Sequence, residues 1–244
     1  MSEKERGEGI VFKKEEIRES DILYSALSKE WGRVTLLGKG IRKIGAKLKS
    51  QIEKMNLVEF EFVQGKEFKI LTDANLISNF SEMKKNFFKL NLGLKVCELL
   101  DSFLKEGQGE DVWEMTLAFF NFLNKKRTDK KLSLLAFFWF FWNFFQKLGT
   151  YPSPQFCFLC QKELKEGFFD SKTDAFLCPK CAKKSSQKVF VEKETVSLLK
   201  KILSSDIILI KELRLSQGVL KNLNELSKNV FENLKNQYGL QTFF

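Results

Sequence analysis

Two short cysteine loops, Cys157-Phe-Leu-Cys160 and Cys178-Pro-Lys-Cys181, constrain this chain more than any other feature. Their spacing, C-x2-C-x17-C-x2-C, lies within the range of four-cysteine metal sites. Each loop can turn two thiolates toward one ion at ~2.3 Å, and two such loops on adjoining hairpins complete a tetrahedron. Four protein ligands leave no open coordination position. The metal expected at Cys157, Cys160, Cys178 and Cys181 is therefore one structural zinc ion and not a hydrolytic centre. A redox CxxC pair is the rival reading, but the second loop and the lack of a thioredoxin-like βαβ context argue against it. Disulfides fit less well still, because Met1 to Gly9 is charged and carries no apolar signal region. Lys162, Lys165, Lys180, Lys183 and Lys184 surround the motif and should help to hold the thiolates ionised.

Other chemistries drop out by composition. The 244 residues include no histidine, which removes Ser-His-Asp and Cys-His catalysis and any histidine general base. Gly38-Lys39-Gly40 lacks the spacing of a phosphate loop, and no dinucleotide fingerprint is present. The chain reads as a non-enzyme. Its charge, 41 Lys+Arg against 31 Asp+Glu, is +10 and falls to about +8 once four thiolates hold zinc. A basic balance of this size favours a polyanionic partner.

Short strands fill residues 1 to 78. Gly9 to Lys13, Asp21 to Ser25 and Arg33 to Leu37 are brief apolar runs, with Trp31-Gly32 as a turn. Val58 to Phe62 alternates strictly, so Val58, Phe60 and Phe62 share one face while Glu59 and Glu61 take the other. Glu67 to Leu71 returns after Gln64-Gly65 as a hairpin partner. About five short strands in this length suit a small closed barrel, with an open sheet as the alternative.

From Ser81 to Gly149 the period becomes helical. Met83, Phe87, Leu90, Leu94, Cys97 and Leu104 predict one buried stripe, and Asp111 with Glu114 predicts a capping-box start for the next helix. Leu132 to Phe145 (LSLLAFFWFFWNFF) is apolar over 14 residues, short of the ~20 that cross a bilayer. It reads as a helix buried on all sides and ended by Gly149, Pro152 and Pro154. Val196 to Leu203 and Ser216 to Tyr238 predict two more helices. The second has an apolar face of Val219, Leu223, Leu226, Val230 and Leu234.

Basic residues cluster twice. Between Trp31 and Ile52 stand Arg33, Lys39, Arg42, Lys43, Lys47 and Lys49 with no Asp or Glu among them. On a barrel that is otherwise nearly charge-balanced, such a cluster suits phosphate contacts. Tyr24 and Trp31 are either base-stacking platforms or core. The second cluster, Lys125, Lys126, Arg127, Lys130 and Lys131, joins two phenylalanine-rich helices. It is either a solvated loop or the basic rim of an apolar pocket for an acidic peptide.

Taken in order, these features resemble the bacterial DNA repair protein RecO family. Gly9-Ile-Val-Phe, Glu19-Ser-Asp21-Ile-Leu, Gly32-Arg33 and Lys39-Gly40-Ile-Arg42-Lys43 are similar to its N-terminal barrel pattern. Leu148-Gly-Thr-Tyr-Pro152 leading into the two CxxC loops is similar to its helix-to-zinc-ribbon passage. Ala46, Glu53-Lys54-Met55 and the tail Tyr238 to Phe244 depart from the common pattern. The resemblance implies an α+β protein: an N-terminal OB-fold β-barrel (1–78), a helical domain (79–150), an inserted four-cysteine zinc ribbon (151–190) and C-terminal helices (191–244). It also implies a cytoplasmic, nucleoid-associated recombination mediator of the RecF pathway that binds single- and double-stranded DNA and anneals complementary strands. Its partners would be RecR and the acidic C-terminal tail of single-stranded DNA-binding protein (SSB), and it would help to load RecA onto SSB-coated DNA. A zinc-ribbon transcription or RNA-binding module and a thiol-disulfide enzyme remain the alternatives.

Overall fold

The computed structural model describes residues 3–41, 51–213 and 215–238. Five strands open the chain: β1 (Lys4–Glu16), β2 (Ile22–Ser28), β3 (Gly32–Gly38), β4 (Leu57–Gln64) and β5 (Lys69–Ser78). They close into a barrel in the order β1-β2-β3-β5-β4. β1 serves two neighbours, pairing through Gly9 to Glu16 with β2 and through Lys4 to Ile10 with β4. A register shift between Val11 and Lys13 gives this long strand the bend it needs to curl across the barrel. Closure comes from two parallel pairs, Leu36 with Lys69 and Leu37 with Ile70. This is the topology of an OB-fold.

The alternation in β4 places its side chains as expected. Val58, Phe60 and Phe62 are buried in the barrel core with Val11, Tyr24, Val34 and Leu36. Glu59 and Glu61 face out, where they pair with Arg6 and Lys4. Beyond the barrel come α1 (Ser81–Lys84), α2 (Phe87–Phe103), α3 (Trp113–Leu123) and α4 (Lys130–Lys147). A three-stranded sheet in the order β7-β6-β8 follows, from β6 (Gly167–Asp170), β7 (Ala175–Leu177) and β8 (Lys188–Val191). Helices α5 (Lys193–Ser204) and α6 (Gln217–Tyr238) end the described chain.

The chain packs as two compact units, residues 1–140 and 141–244, with the division inside α4. In the first unit, barrel and helices meet at Gly32 and Arg33. Gly32 has φ +62°, and a Cβ there would stand 2.5 Å from the Gln108 carbonyl oxygen, so only glycine fits this approach. Arg33 N–H donates to that same carbonyl oxygen at 2.7 Å.

Two helical expectations need correction. Met83 and Phe87 do not share a stripe, because Asn86 starts a new helix by accepting from the backbone N–H groups of Phe88 and Lys89. The phase resets there. Phe87 is 79% exposed, and the buried face of α2 is carried by Leu92, Val96, Cys97, Leu99 and Leu100. Nor does Asp111 cap α3. A 3-10 turn over Glu110–Val112 precedes the helix, and no side chain caps it. The apolar run matches its reading as a buried helix. Every residue from Leu135 to Trp142 is buried, and among the described residues no helix is long and apolar enough to cross a membrane. Asp129 caps its start by accepting from Leu132 N–H at 2.7 Å. Gly149 (φ +70°) ends it, with Thr150 N–H on the Phe145 carbonyl and Gly149 N–H on that of Gln146. In the second unit Trp142 donates its indole N–H to Ser227 Oγ at 3.1 Å, so this fully buried indole leaves no orphaned polar atom. Val219, Leu223, Leu226, Val230 and Leu234 are buried along α6, as its periodicity requires.

Candidate metal centre and nucleic-acid interface

The two cysteine loops close in the same way. Gln161 N–H donates to the Cys157 carbonyl at 2.9 Å, and Ala182 N–H donates to the Cys178 carbonyl at 3.0 Å. In each loop the residue after the second cysteine reaches back to the first, which turns both thiols to one side. Gln161 takes φ +57° to do so. All four sulfurs lie within 4.8 Å of one another, and Cys160 Sγ to Cys178 Sγ is 3.8 Å. A tetrahedron with metal–sulfur bonds of ~2.3 Å has edges of about 3.8 Å, so the donor set fits one ion.

The acidities of three of these thiols diverge with their surroundings. Burial works to raise Cys157, but backbone N–H groups of Cys178, Cys160 and Leu159 outweigh it and hold the thiol down at about 6. The Cys181 backbone N–H lowers Cys178. Contacts with the Cys178 and Cys160 sulfurs push Cys181 up to about 12. The largest influences are thus burial, backbone donors and neighbouring sulfurs, not the surrounding lysines to which the sequence pointed. Four cysteines at this separation could hold a metal ion.

The second feature is a cleft of about 620 Å³ at one end of the barrel. Its walls are the β1–β2 connection (Arg18), the end of β3 (Leu37, Lys39) and the β4–β5 turn (Gly65, Lys66, Glu67, Phe68). The turn is tight because Gly65 N–H donates to the Phe68 carbonyl at 3.1 Å, and a Cβ on Gly65 would meet that oxygen at 2.5 Å. Asp21 ties the β1–β2 connection to the end of β3 by accepting from Gly40 N–H at 2.8 Å, and it also pairs with Arg18 at 3.8 Å. Arg18, Lys39 and Lys66 are exposed here and Phe68 is half-buried.

The expected site residues separate on this frame. Lys39 lies in the cleft, whereas Arg42, Lys43, Lys47 and Lys49 lie outside the described residues. Arg33 has another task. Its Nη1 donates to the carbonyls of Asp101 and Leu104 at 2.8 and 2.7 Å, and its Nη2 pairs with Asp101 Oδ1 at 2.9 Å. The guanidinium closes the C-terminal end of α2 against the barrel. Tyr24 is fully buried and its phenol is pushed up by that burial, while Trp31 packs against Phe62 at 5.1 Å. Tyr24 belongs to the core, and Trp31, half-buried, packs against it. Arg18 and Lys66 were missed because they sit 48 positions apart, in turns that look unremarkable alone. Barrel closure is what brings them together.

Lys125, Lys126, Arg127, Lys130 and Lys131 are all exposed around the α3–α4 turn. Beneath them the buried Lys89 donates to the Lys125 carbonyl at 2.8 Å, and burial lowers its pKa. Lys125 Nζ stands 5.6 Å from the buried Phe122 ring, so that phenylalanine is floor and not an open pocket.

An OB-fold joined to helices and a four-cysteine centre places the chain in a class of mixed α+β proteins built on an oligonucleotide-type barrel. Comparison with known families narrows this. The family described as Recombination protein O N terminal matches residues 1–80, and Recombination protein O C terminal matches residues 84–240. The chain belongs to the RecO family of DNA repair proteins. It is 24% identical to DNA repair protein RecO of Listeria welshimeri over 80% of this chain and 76% of that one. It is 26% identical to the RecO of Syntrophomonas wolfei over 89% of this chain and 86% of that one. The RecO of Caldicellulosiruptor saccharolyticus is also 26% identical, over 92% and 89%.

Proposed function

We propose that this chain is a non-enzymatic recombination mediator. It binds single- and double-stranded DNA through its barrel, anneals complementary strands, and works with RecR to load RecA onto SSB-coated single strands. The observation that carries this reading is the cleft at the barrel end, where Arg18, Lys39 and Lys66 outnumber the one carboxylate, Glu67, and which is walled by the two connections through which OB-folds take oligonucleotides. Arg42, Lys43, Lys47 and Lys49 follow Lys39 in sequence and add to the same phosphate-binding set. Phe68, in the cleft wall, offers a ring on which a base can stack. Annealing follows from neutralising the repulsion between two strands, which needs cations and no general acid or base.

The ribbon holds one structural zinc ion through Cys157, Cys160, Cys178 and Cys181, and the ion organises the loops without taking part in a reaction. Lys125, Lys126, Arg127, Lys130 and Lys131 form the rim that meets the acidic SSB tail, and the exposed Phe87 lies two positions before Lys89, which bonds to that turn. A cytoplasmic, nucleoid-associated location accords with these partners.

Replacing Arg18, Lys39 and Lys66 with Ala together should weaken binding of every DNA sequence about equally. It should also flatten the salt dependence for single strands by about 2 in log–log slope, since each lost phosphate contact is worth ~0.7. Binding titrations across a salt series read this directly. An unchanged slope would remove the cleft from the interface.

A further inference from the structure

The ribbon carries an aromatic and basic surface that neither the metal centre nor the barrel cleft uses. Phe168 on β6 and Phe190 on β8 are cross-strand partners, with ring centroids 5.3 Å apart at 56°. Their neighbours Phe169 and Val191 point to the opposite, buried face of the sheet. Phe190 stays 46% exposed and Phe168 is half-buried. Lys188 Nζ lies 5.0 Å from the centroid of the Phe168 ring and donates to the Ala182 carbonyl at 2.8 Å. That bond ties β8 to the 3-10 turn Cys181–Lys184, which carries the exposed Lys183 and Lys184. Between Asp174 and Glu192 there is no Asp or Glu, only Lys180, Lys183, Lys184 and Lys188, while Glu192 and the exposed Glu166 bound the strand pair at its far end. Asp170, opposite Lys188 in register, is buried and bonded to Lys172 N–H and Thr173 Oγ1. A scattered exposed phenylalanine needs no explanation. A paired ring with a lysine over it, beside an acid-free run of cations, is the arrangement that takes stacked bases and their phosphates.

We propose that this face of the ribbon is a second single-stranded DNA contact, with Phe190 and Phe168 as the stacking platform and Lys183, Lys184 and Lys188 on the phosphates. It rests on the reading of the chain as a DNA-binding protein only for the identity of its ligand. Its residues are separate from those of the barrel cleft. Single strands are selected because a duplex keeps the faces of its bases covered, while the lysines meet either form.

The test uses the full metal-loaded chain and a fluorescent oligothymidine, with a duplex of equal length beside it. Phe190→Ala should weaken oligothymidine binding about tenfold and leave duplex binding unchanged, and Phe190→Trp should restore the single-strand affinity. Lys183→Ala with Lys184→Ala should weaken both ligands and flatten the single-strand salt slope by about 1.4. The two lysines are exposed, so that double variant keeps the fold and decides the matter even if Phe190→Ala loses its metal. Wild-type affinity and slope in the lysine variant would overturn the proposal, as would equal loss of duplex and single-strand binding in a metal-loaded Phe190→Ala. The Arg18, Lys39 and Lys66 variant, run alongside, separates the two sites. A loss there alone leaves the barrel reading standing without the ribbon, and a loss in the ribbon variants alone does the reverse.

Discussion

Exchanging Cys157 and Cys160 for serine should strip the metal and unfold the ribbon, the largest effect expected anywhere in this chain. The ribbon's sheet has strands of only 4, 3 and 4 residues, too short to hold together by pairing alone. Its apolar centre is small, with Leu164, Phe169 and Phe176 as its main buried side chains. In zinc modules of this size metal binding supplies on the order of 10 kcal/mol, which is most of the folding free energy. The two loops would lose what holds them face to face. The bonds from Cys157 N–H to the Lys162 carbonyl and from Phe158 N–H to the Phe176 carbonyl should then exchange freely. The check is metal content together with amide hydrogen exchange over residues 157–191. Full loss of metal and of protection there, with the barrel strands still protected, is the expected outcome. Unchanged protection in a metal-free variant would contradict a structural role for the ion.

Arg33→Ala should act on stability and leave DNA affinity alone. Its guanidinium answers two carbonyls at the end of α2 and the Asp101 carboxylate, and it lies 5.2 Å from the Phe12 ring centroid. With the side chain only 17% exposed, removal leaves those acceptors poorly solvated. A loss of about 2–4 kcal/mol follows for the contact between barrel and α2. Lysine cannot reproduce the fork and should rescue little of it. Hydrogen exchange in β3 and at Leu104, whose N–H closes the last turn of α2, reads the local loss. The salt slope of DNA binding should match wild type. A flattened slope with unaltered exchange would return Arg33 to the DNA-binding set.

Arg33 also marks how far charge patterns in a sequence can be read. It belongs to an acid-free run, and nothing local separates it from Lys39. Only the fold brings Asp101, 68 positions away, to one and leaves the other in the cleft. The cysteine centre was legible because its chemistry is set by spacing within two short loops. The β4 strand was legible because a period of two has one solution once Phe60 and Phe62 are inside. The face of α6 was legible for the same reason, its period running without interruption. The face of α2 was not, because Asn86 resets the helical phase between Met83 and Phe87, and apolar spacing alone cannot register a break that falls at a multiple of the period. The predicted capping box failed where Gly109, at φ +96°, sends the chain into a 3-10 turn first. Tyr24 and Trp31 could be either core or platform until barrel closure put both against the core.

Strand annealing by charge neutralisation is best checked on SSB-coated DNA. Complementary single strands coated with the cognate SSB are mixed with the protein, without ATP, across a salt series, with a tail-less SSB as control. Fast annealing that slows steeply as salt rises and that requires the acidic tail is the expected result. No acceleration on coated or bare strands would contradict it and leave a basic metal-bound scaffold, with RNA and transcription complexes as the next partners to try.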